Sequence, residues 1–231
     1  MNKCVFTDID GTLLKGFITV DFVEFLYKSG LFDQMAYQNQ KNLMGAFKSS
    51  QIDFDSWLVE WAKIWGKGIC GQKQTEIKKA ARLFFPSFES NFFSSSKELV
   101  EVFQAKGYIV IGVTAGVVEV ASLVKEHLNL DYVIASEVKL KEGVYTDQVT
   151  THLHLPNGKK EAVLDFCATH DVSLKESIGI GDSMLDVQII SLMGLKIALN
   201  ATIDLSKFGS QNGYLNANDN TILDLIKVKL G

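Results

Sequence analysis

The stretch VFTDIDGTLL, residues 5–14, runs from apolar residues into two aspartates one position apart, Asp8 and Asp10, followed by Gly11 and Thr12. Alternate residues of an extended chain face the same way, so both carboxylates can address one ligand. Two such charges ~4 Å apart repel by ~4 kcal/mol at an effective dielectric of ~20. A hard divalent cation, which prefers oxygen ligands, offsets that repulsion. Taken alone, D-x-D-G also reads as an acidic turn, because Asp-Gly suits turns. An EF-hand loop is excluded, since the twelfth position counted from Asp8 is Thr19 and not glutamate.

Outward from this stretch, KCVFTD (3–8), YIVIGVT (108–114), DYVIAS (131–136), SIGIGD (177–182) and LKIALN (195–200) form five short apolar runs. Runs of this length without alternation suit a parallel sheet covered on both faces. Helical patterns at 94–107, 117–128 and 159–170 lie between them, the first with Ser95 as N-cap, Glu98 three later and Gly107 as stop. Strands alternating with helices predict an α/β fold, a Rossmann-like doubly wound parallel sheet. Each run ends on a polar residue: Asp8, Thr114, Ser136, Asp182 and Asn200. Ligands of open α/β sheets bind outside the carboxyl ends of the strands, so these residues outline a site floor. The glycines of IGIGD lack the G-x-G-x-x-G spacing and fall late in the chain, which argues against a dinucleotide site.

Between the first two strands, residues 15–95 contain helical patterns at 19–30, 32–48, 53–68 and 73–85 and no convincing strand. A structureless loop of this length is improbable. The expected organisation is therefore a core of residues 1–14 and 96–231 with an all-helical cap inserted at 15–95, hinged near Gly16 and the serines 94–96. A last helix in NTILDLIKVKL closes the core.

The 231 residues are 47% hydrophobic with a net charge of −4, which suits a packed core and not a polyanion-binding surface, so no nucleic-acid partner is expected. Arg82 is the only arginine, and Cys4, Cys70 and Cys167 are three widely spaced cysteines without a C-x-x-C. The absence of a disulfide framework, a signal-peptide pattern or a membrane-length apolar run leads us to expect a cytoplasmic protein. Oligomeric state is not set by the sequence.

Taken together, the motifs resemble the haloacid dehalogenase superfamily of phosphohydrolases. DIDGT (8–12) is similar to its first motif, VIGVTAG (110–116) to its second, Lys159 in NGKKEAV to its third and GDSMLD (181–186) to its fourth. Position favours Lys159 over Lys160. The 23 positions from Lys159 to Asp182, the insert after the first motif and LKEGVYTDQV resemble the phosphoserine-phosphatase-like branch with its helical cap. The resemblance implies a magnesium-dependent hydrolase of a small phosphomonoester working through a phosphoaspartate. Asp8 is then the nucleophile and Asp10 the acid and base. Asp8, Asp182 and the Asp10 backbone carbonyl hold Mg²⁺, with Asp186 orienting. Thr114, Lys159 and the N–H groups of Ile9 and Ala115 bind phosphate. A phosphotransferase or phosphomutase of the same superfamily, or a non-catalytic phosphate-binding module, is the alternative.

The resemblance breaks at substrate recognition. Phosphoserine phosphatases carry a glutamate seven positions after the acid/base aspartate to hold the substrate ammonium; here that position is Phe17, with Lys15 nearby. Lys15, Phe17 and Arg82, the sole counterpart for a cap arginine, are therefore the candidates for substrate choice. Trp57, Trp61 and Trp65 recur at helical spacing and read as cap core, or alternatively as a stacking wall for a ring or quaternary amine. His152 and His154 read as hairpin residues.

Overall fold

The computed structural model describes residues 1–231. Strand β1 is Cys4–Thr7; it alternates Cys4 and Phe6 to one apolar layer and Val5 to the other, as a strand covered on both faces must. Four helices follow before the next strand: α1 (Ile18–Lys28), α2 (Gln34–Lys48), α3 (Phe54–Ile69) and α4 (Gln74–Phe84). The chain then forms α5 (Ser96–Ala105), β2 (Ile109–Val117), α6 (Val118–Leu128), β3 (Tyr132–Ser136), β4 (Val138–Lys141), β5 (Val144–Val149) and α7 (Gly158–Thr169). It ends with β6 (Ile178–Gly181), α8 (Val187–Ile190), β7 (Leu195–Leu199), α9 (Ile203–Gln211), β8 (Leu215–Ala217) and α10 (Ile222–Leu230).

Six strands pair in the order β3-β2-β1-β6-β7-β8, all parallel. The order reverses between β1 and β6, and the crevice at such a switch point is where ligands bind in doubly wound sheets. Strand β8 is a sixth strand beyond the five expected. Its three residues are part-exposed and carry no apolar run, so their pairing with β7 is a tertiary fact.

The helices between β1 and β2 continue the apolar layer of the sheet. Phe22, Trp65 and Phe84 belong to one buried cluster with Val120 and Val124 of α6 and Ile178 of β6. Helices α2 and α3 start on Asp33 and Asp53, whose side chains accept from Ala36 N and Ser56 N at 2.8 Å each. The capping box expected at Ser95 does not form. Asp219, distant in sequence, accepts from Ser94 N at 3.2 Å and Ser95 N at 2.8 Å instead.

Strands β4 and β5 form an antiparallel hairpin outside the main sheet. It docks on the insert through Gly71 N to Tyr145 O, Tyr145 N to Gln72 O and Gln74 N to Gly143 O, each 2.9 Å. Its Tyr145 hydroxyl donates to buried Glu119 of α6 at 2.5 Å. His152 and His154, expected in a hairpin, lie instead in the turn that precedes α7. Gly158 closes that turn, and a Cβ there would strike the His152 carbonyl.

Candidate active site

Asp8 follows the last residue of β1, with its backbone N–H bonded to Ile180 O of β6 at 2.9 Å. Asp182 follows the last residue of β6. The pairing of these two strands sets the two aspartates side by side across 174 residues of sequence. Thr12, fully buried, links them: its hydroxyl lies 3.0 Å from Asp182 Oδ1 and 3.3 Å from Asp8 Oδ2. Between the aspartates the backbone turns at Gly11, whose φ of +89° suits only glycine and where a Cβ would collide with the Asp182 carboxylate.

Lys159 is the second residue of α7, and its ammonium reaches Asp8 Oδ1 at 2.5 Å and Asp186 Oδ1 at 2.8 Å. A cation in the first turn of a helix opposes the helix dipole. The position is held by its two carboxylate partners, and all three side chains are at least nine-tenths buried. Burial by itself favours the neutral amine, but Asp186 and Asp8 outweigh it and keep Lys159 protonated. Asp186 has no oxygen to spare. While Oδ1 accepts from Lys159, Oδ2 accepts from Asp182 N at 3.2 Å, Ser183 N at 3.1 Å and Ser183 Oγ at 2.9 Å.

Carboxylate oxygens of Asp8, Asp182 and Asp186 lie within 4.8 Å of one another. One lysine does not neutralise them. Burial pushes the Asp8 carboxyl well above its usual value despite the opposing pull of Lys159, and burial and the Asp186 charge push Asp182 up to about 7. A divalent cation suits such a cluster on charge, and a hard cation suits its all-oxygen donors. The Asp10 carbonyl, which accepts no hydrogen bond from the chain, is a further free oxygen donor.

The Asp10 side chain turns away from the cluster. Its Oδ1 accepts from Ile18 N, the first residue of α1, at 2.9 Å, and its Oδ2 accepts from the Thr114 hydroxyl at 3.2 Å. Burial lifts its carboxyl to about 6, against the lowering effect of these two bonds. Thr114 also accepts from Gly116 N at 2.8 Å. Thr19 Oγ1 accepts from Val117 N at 3.3 Å and ties the start of α1 to the end of β2. The Ile9 N–H has no acceptor in the chain, and Ala115 is held by the Ser136 hydroxyl on its carbonyl at 2.8 Å.

Residues 5–191 match the family model for haloacid dehalogenase-like hydrolase. The chain belongs to this family. It is similar to a phosphoserine phosphatase of Methanocaldococcus jannaschii, 26% identical over 126 residues. That match covers 54% of the chain and 57% of the relative's length. A solved protein of unknown function from Bordetella pertussis Tohama I is similar in fold, with a TM-score of 0.80 at 18% identity, covering 95% of this chain and 99% of the other. A phosphoserine phosphatase solved in a substrate-bound complex has a TM-score of 0.67 at 19% identity over 100% and 99% of the two chains.

The structure does not bring together every residue singled out by the haloacid dehalogenase resemblance. Asp8, Asp10, Thr114, Ala115, Lys159 and Asp182 share one cavity of about 230 Å³ with Phe17. Lys15 is exposed outside it, its ammonium 5.5 Å from the Phe93 ring centre. Arg82 lies outside it too, pairing with Glu126 through two bonds of 3.1 and 3.2 Å on an exposed surface. Two site residues carry no role in the sequence reading, Thr12 and Ser183. Both sit inside motifs, in DIDGT and GDSMLD, yet their hydroxyls serve partners that only the fold reveals.

Proposed function

We propose that the protein is a magnesium-dependent phosphomonoester hydrolase that works through a phosphoaspartate on Asp8. The observation that carries this reading is the buried Lys159 held between Asp8 and Asp186, beside Asp182 and below the Thr114–Asp10 pair. Asp8, Asp182 and the Asp10 carbonyl would hold Mg²⁺. When bound, the ion supplies charge neutralisation for the phosphoryl oxygens and for the clustered carboxylates.

An Asp8 carboxylate oxygen attacks phosphorus in line. The bond from phosphorus to the ester oxygen breaks, and the leaving oxygen takes the proton of Asp10. Asp10, now a carboxylate, accepts a proton from the water that attacks phosphorus on Asp8; free phosphate leaves and Asp8 is regenerated. Lys159 offsets the charge shared by Asp8 and the phosphoryl group, and Asp186 holds Lys159 in place. The N–H groups of Ile9 and Ala115 and the Thr114 hydroxyl are the phosphate donors, Thr114 exchanging its bond to Asp10 for one to a phosphate oxygen.

A phosphomutase requires a second phosphate grip. The cavity lining contains one cationic side chain, Lys159, and that one is already engaged. Nothing in the cavity therefore favours phosphate transfer to a second phosphorylated acceptor over hydrolysis. The test is p-nitrophenyl phosphate hydrolysis by the wild type and by Asp8→Asn, with beryllofluoride binding as the second readout. The variant should fall to background while keeping its fold; full activity would overturn the assignment.

A further inference from the structure

The wall of the cavity opposite the carboxylates is built almost wholly of apolar side chains. Phe17 and Val20 come from the start of α1, Phe47 from the end of α2, and Phe54, Trp57 and Trp61 from one side of α3. Phe17, Phe47 and Phe54 surround Trp57 with ring centres 5.3 to 5.7 Å away, and Trp61 follows at 6.4 Å. These are separations of packed aromatic pairs. The rings are less than fully covered where they meet the cavity: Phe17 is 36% exposed, and Phe47 and Phe54 are half-buried.

A second observation concerns hydrogen bonding. Trp57 and Trp61 are 3% and 4% exposed, and their indole N–H groups have no acceptor in the chain. Buried indoles ordinarily find one. Trp65, outside the lining, likewise has none, and all three N–H groups are covered, so the cavity meets the tryptophans through their ring carbons. The only carboxylates of the lining are those at the sheet end. A primary ammonium on the leaving group, as in serine or ethanolamine, would be desolvated against rings with no acceptor for its N–H donors. A flat ring covers the aromatic wall and buries its own apolar faces against it.

We infer that the cavity takes phosphomonoesters whose alcohol carries an aromatic or heteroaromatic ring, the ring packing on Phe17, Phe54, Trp57 and Trp61. This rests on the phosphatase reading for the placement of the phosphate. It excludes serine and ethanolamine phosphates as preferred substrates; phosphocholine, whose quaternary ammonium has no N–H and lies on aromatic faces, is the rival that the experiment separates from a ring.

The experiment compares benzyl phosphate and pyridylmethyl phosphate with phosphoserine, phosphoethanolamine and phosphocholine, all alkyl esters, by kcat/KM in saturating Mg²⁺. In parallel, benzylphosphonate and 2-aminoethylphosphonate are titrated against tryptophan fluorescence. Burial of one phenyl-sized surface predicts a preference of about 50-fold for the ring-bearing member of each set. Phe17→Leu, a mild change at a part-exposed ring, should lower that ratio several-fold, while Arg82→Ala should leave it unchanged. Equal rates, or a preference for any of the three amine phosphates, overturn the inference while leaving the hydrolase reading standing. Tight benzylphosphonate binding without any turnover supports the ligand class and overturns the hydrolase reading. Equal binding of the two phosphonates overturns the ligand class whether or not the protein turns over.

Discussion

Asp10 accepts the backbone N–H of Ile18 at 2.9 Å and thereby caps a helix that begins eight residues after it. The residue in the N-cap position, Phe17, has no side chain able to do so. The proposed proton donor and the first helix of the insert are therefore joined by one bond. The second oxygen of the same carboxylate meets Thr114 at the end of β2.

With Asp10 held up to about 6 by burial, its acid form declines above that pH. In saturating Mg²⁺, kcat/KM for an alkyl phosphate should fall by about tenfold per pH unit beyond the turning point. Asp10→Asn should flatten this limb and cost more with alkyl than with p-nitrophenyl esters, whose leaving group needs no proton. A full descending limb retained in the variant would rule out Asp10 as the acid.

Asp10 and Asp182 both have carboxyls raised in the folded chain, to about 6 and about 7, above the unfolded carboxylate value of about 3.9. The folded state thus binds the extra protons more tightly. Their contribution is complete below about pH 3.9 and is lost as pH rises through 6 to 7. Without metal, Tm should fall between pH 5 and pH 8. A cation needs the deprotonated cluster, so the Mg²⁺-induced rise in Tm should be several degrees (~3–6 °C) at pH 8 and near zero at pH 5. Differential scanning fluorimetry with Mg²⁺ or EDTA checks both signs.

Lys159→Met leaves Asp8 and Asp186 buried without their shared cation. Breaking a buried pair by removing one partner costs about 3–5 kcal/mol. Urea unfolding should show that loss, and phosphatase activity should disappear with it. Adding Asp186→Asn should recover part of the stability and none of the activity. A double-mutant cycle gives the coupling.

Arg82→Ala should change stability by less than ~1 kcal/mol, because its pair with Glu126 is exposed on both sides. It should leave kcat and KM unaltered. A large KM effect would show that Arg82 reaches the substrate.

The parts of this site legible in the sequence are those written locally. Asp8, Thr114 and Asp182 terminate apolar runs, and the strand-end rule for α/β sheets turns that into a shared location. Lys159 was legible only through resemblance, since a lysine in a helical first turn ordinarily marks solvent. Its true partners are 151 and 27 residues away. Thr12 stood inside the quoted motif, but its bridging role depends on Asp182, 170 positions on. The tryptophan spacing gave cap core and stacking wall as alternatives. The structure gives Trp57, Trp61 and Trp65 as buried, with the first two also lining the cavity. THLHL alternates like a strand and so reads as part of a hairpin, while the strands that pair lie earlier, on either side of Glu142 and Gly143, where both φ angles are positive and the chain can reverse.

The docking of the 138–149 hairpin against residues 71–74 means that the helices between β1 and β2 rest on a second, separate stretch of chain. A graft that transplants residues 15–95 from a relative would bring foreign helices against a native ribbon, with Gly66 facing the Asp147 carbonyl at a distance that tolerates no added methyl. A stable exchange of these helices between such proteins must move both stretches together, and divergence in one constrains what the other can become.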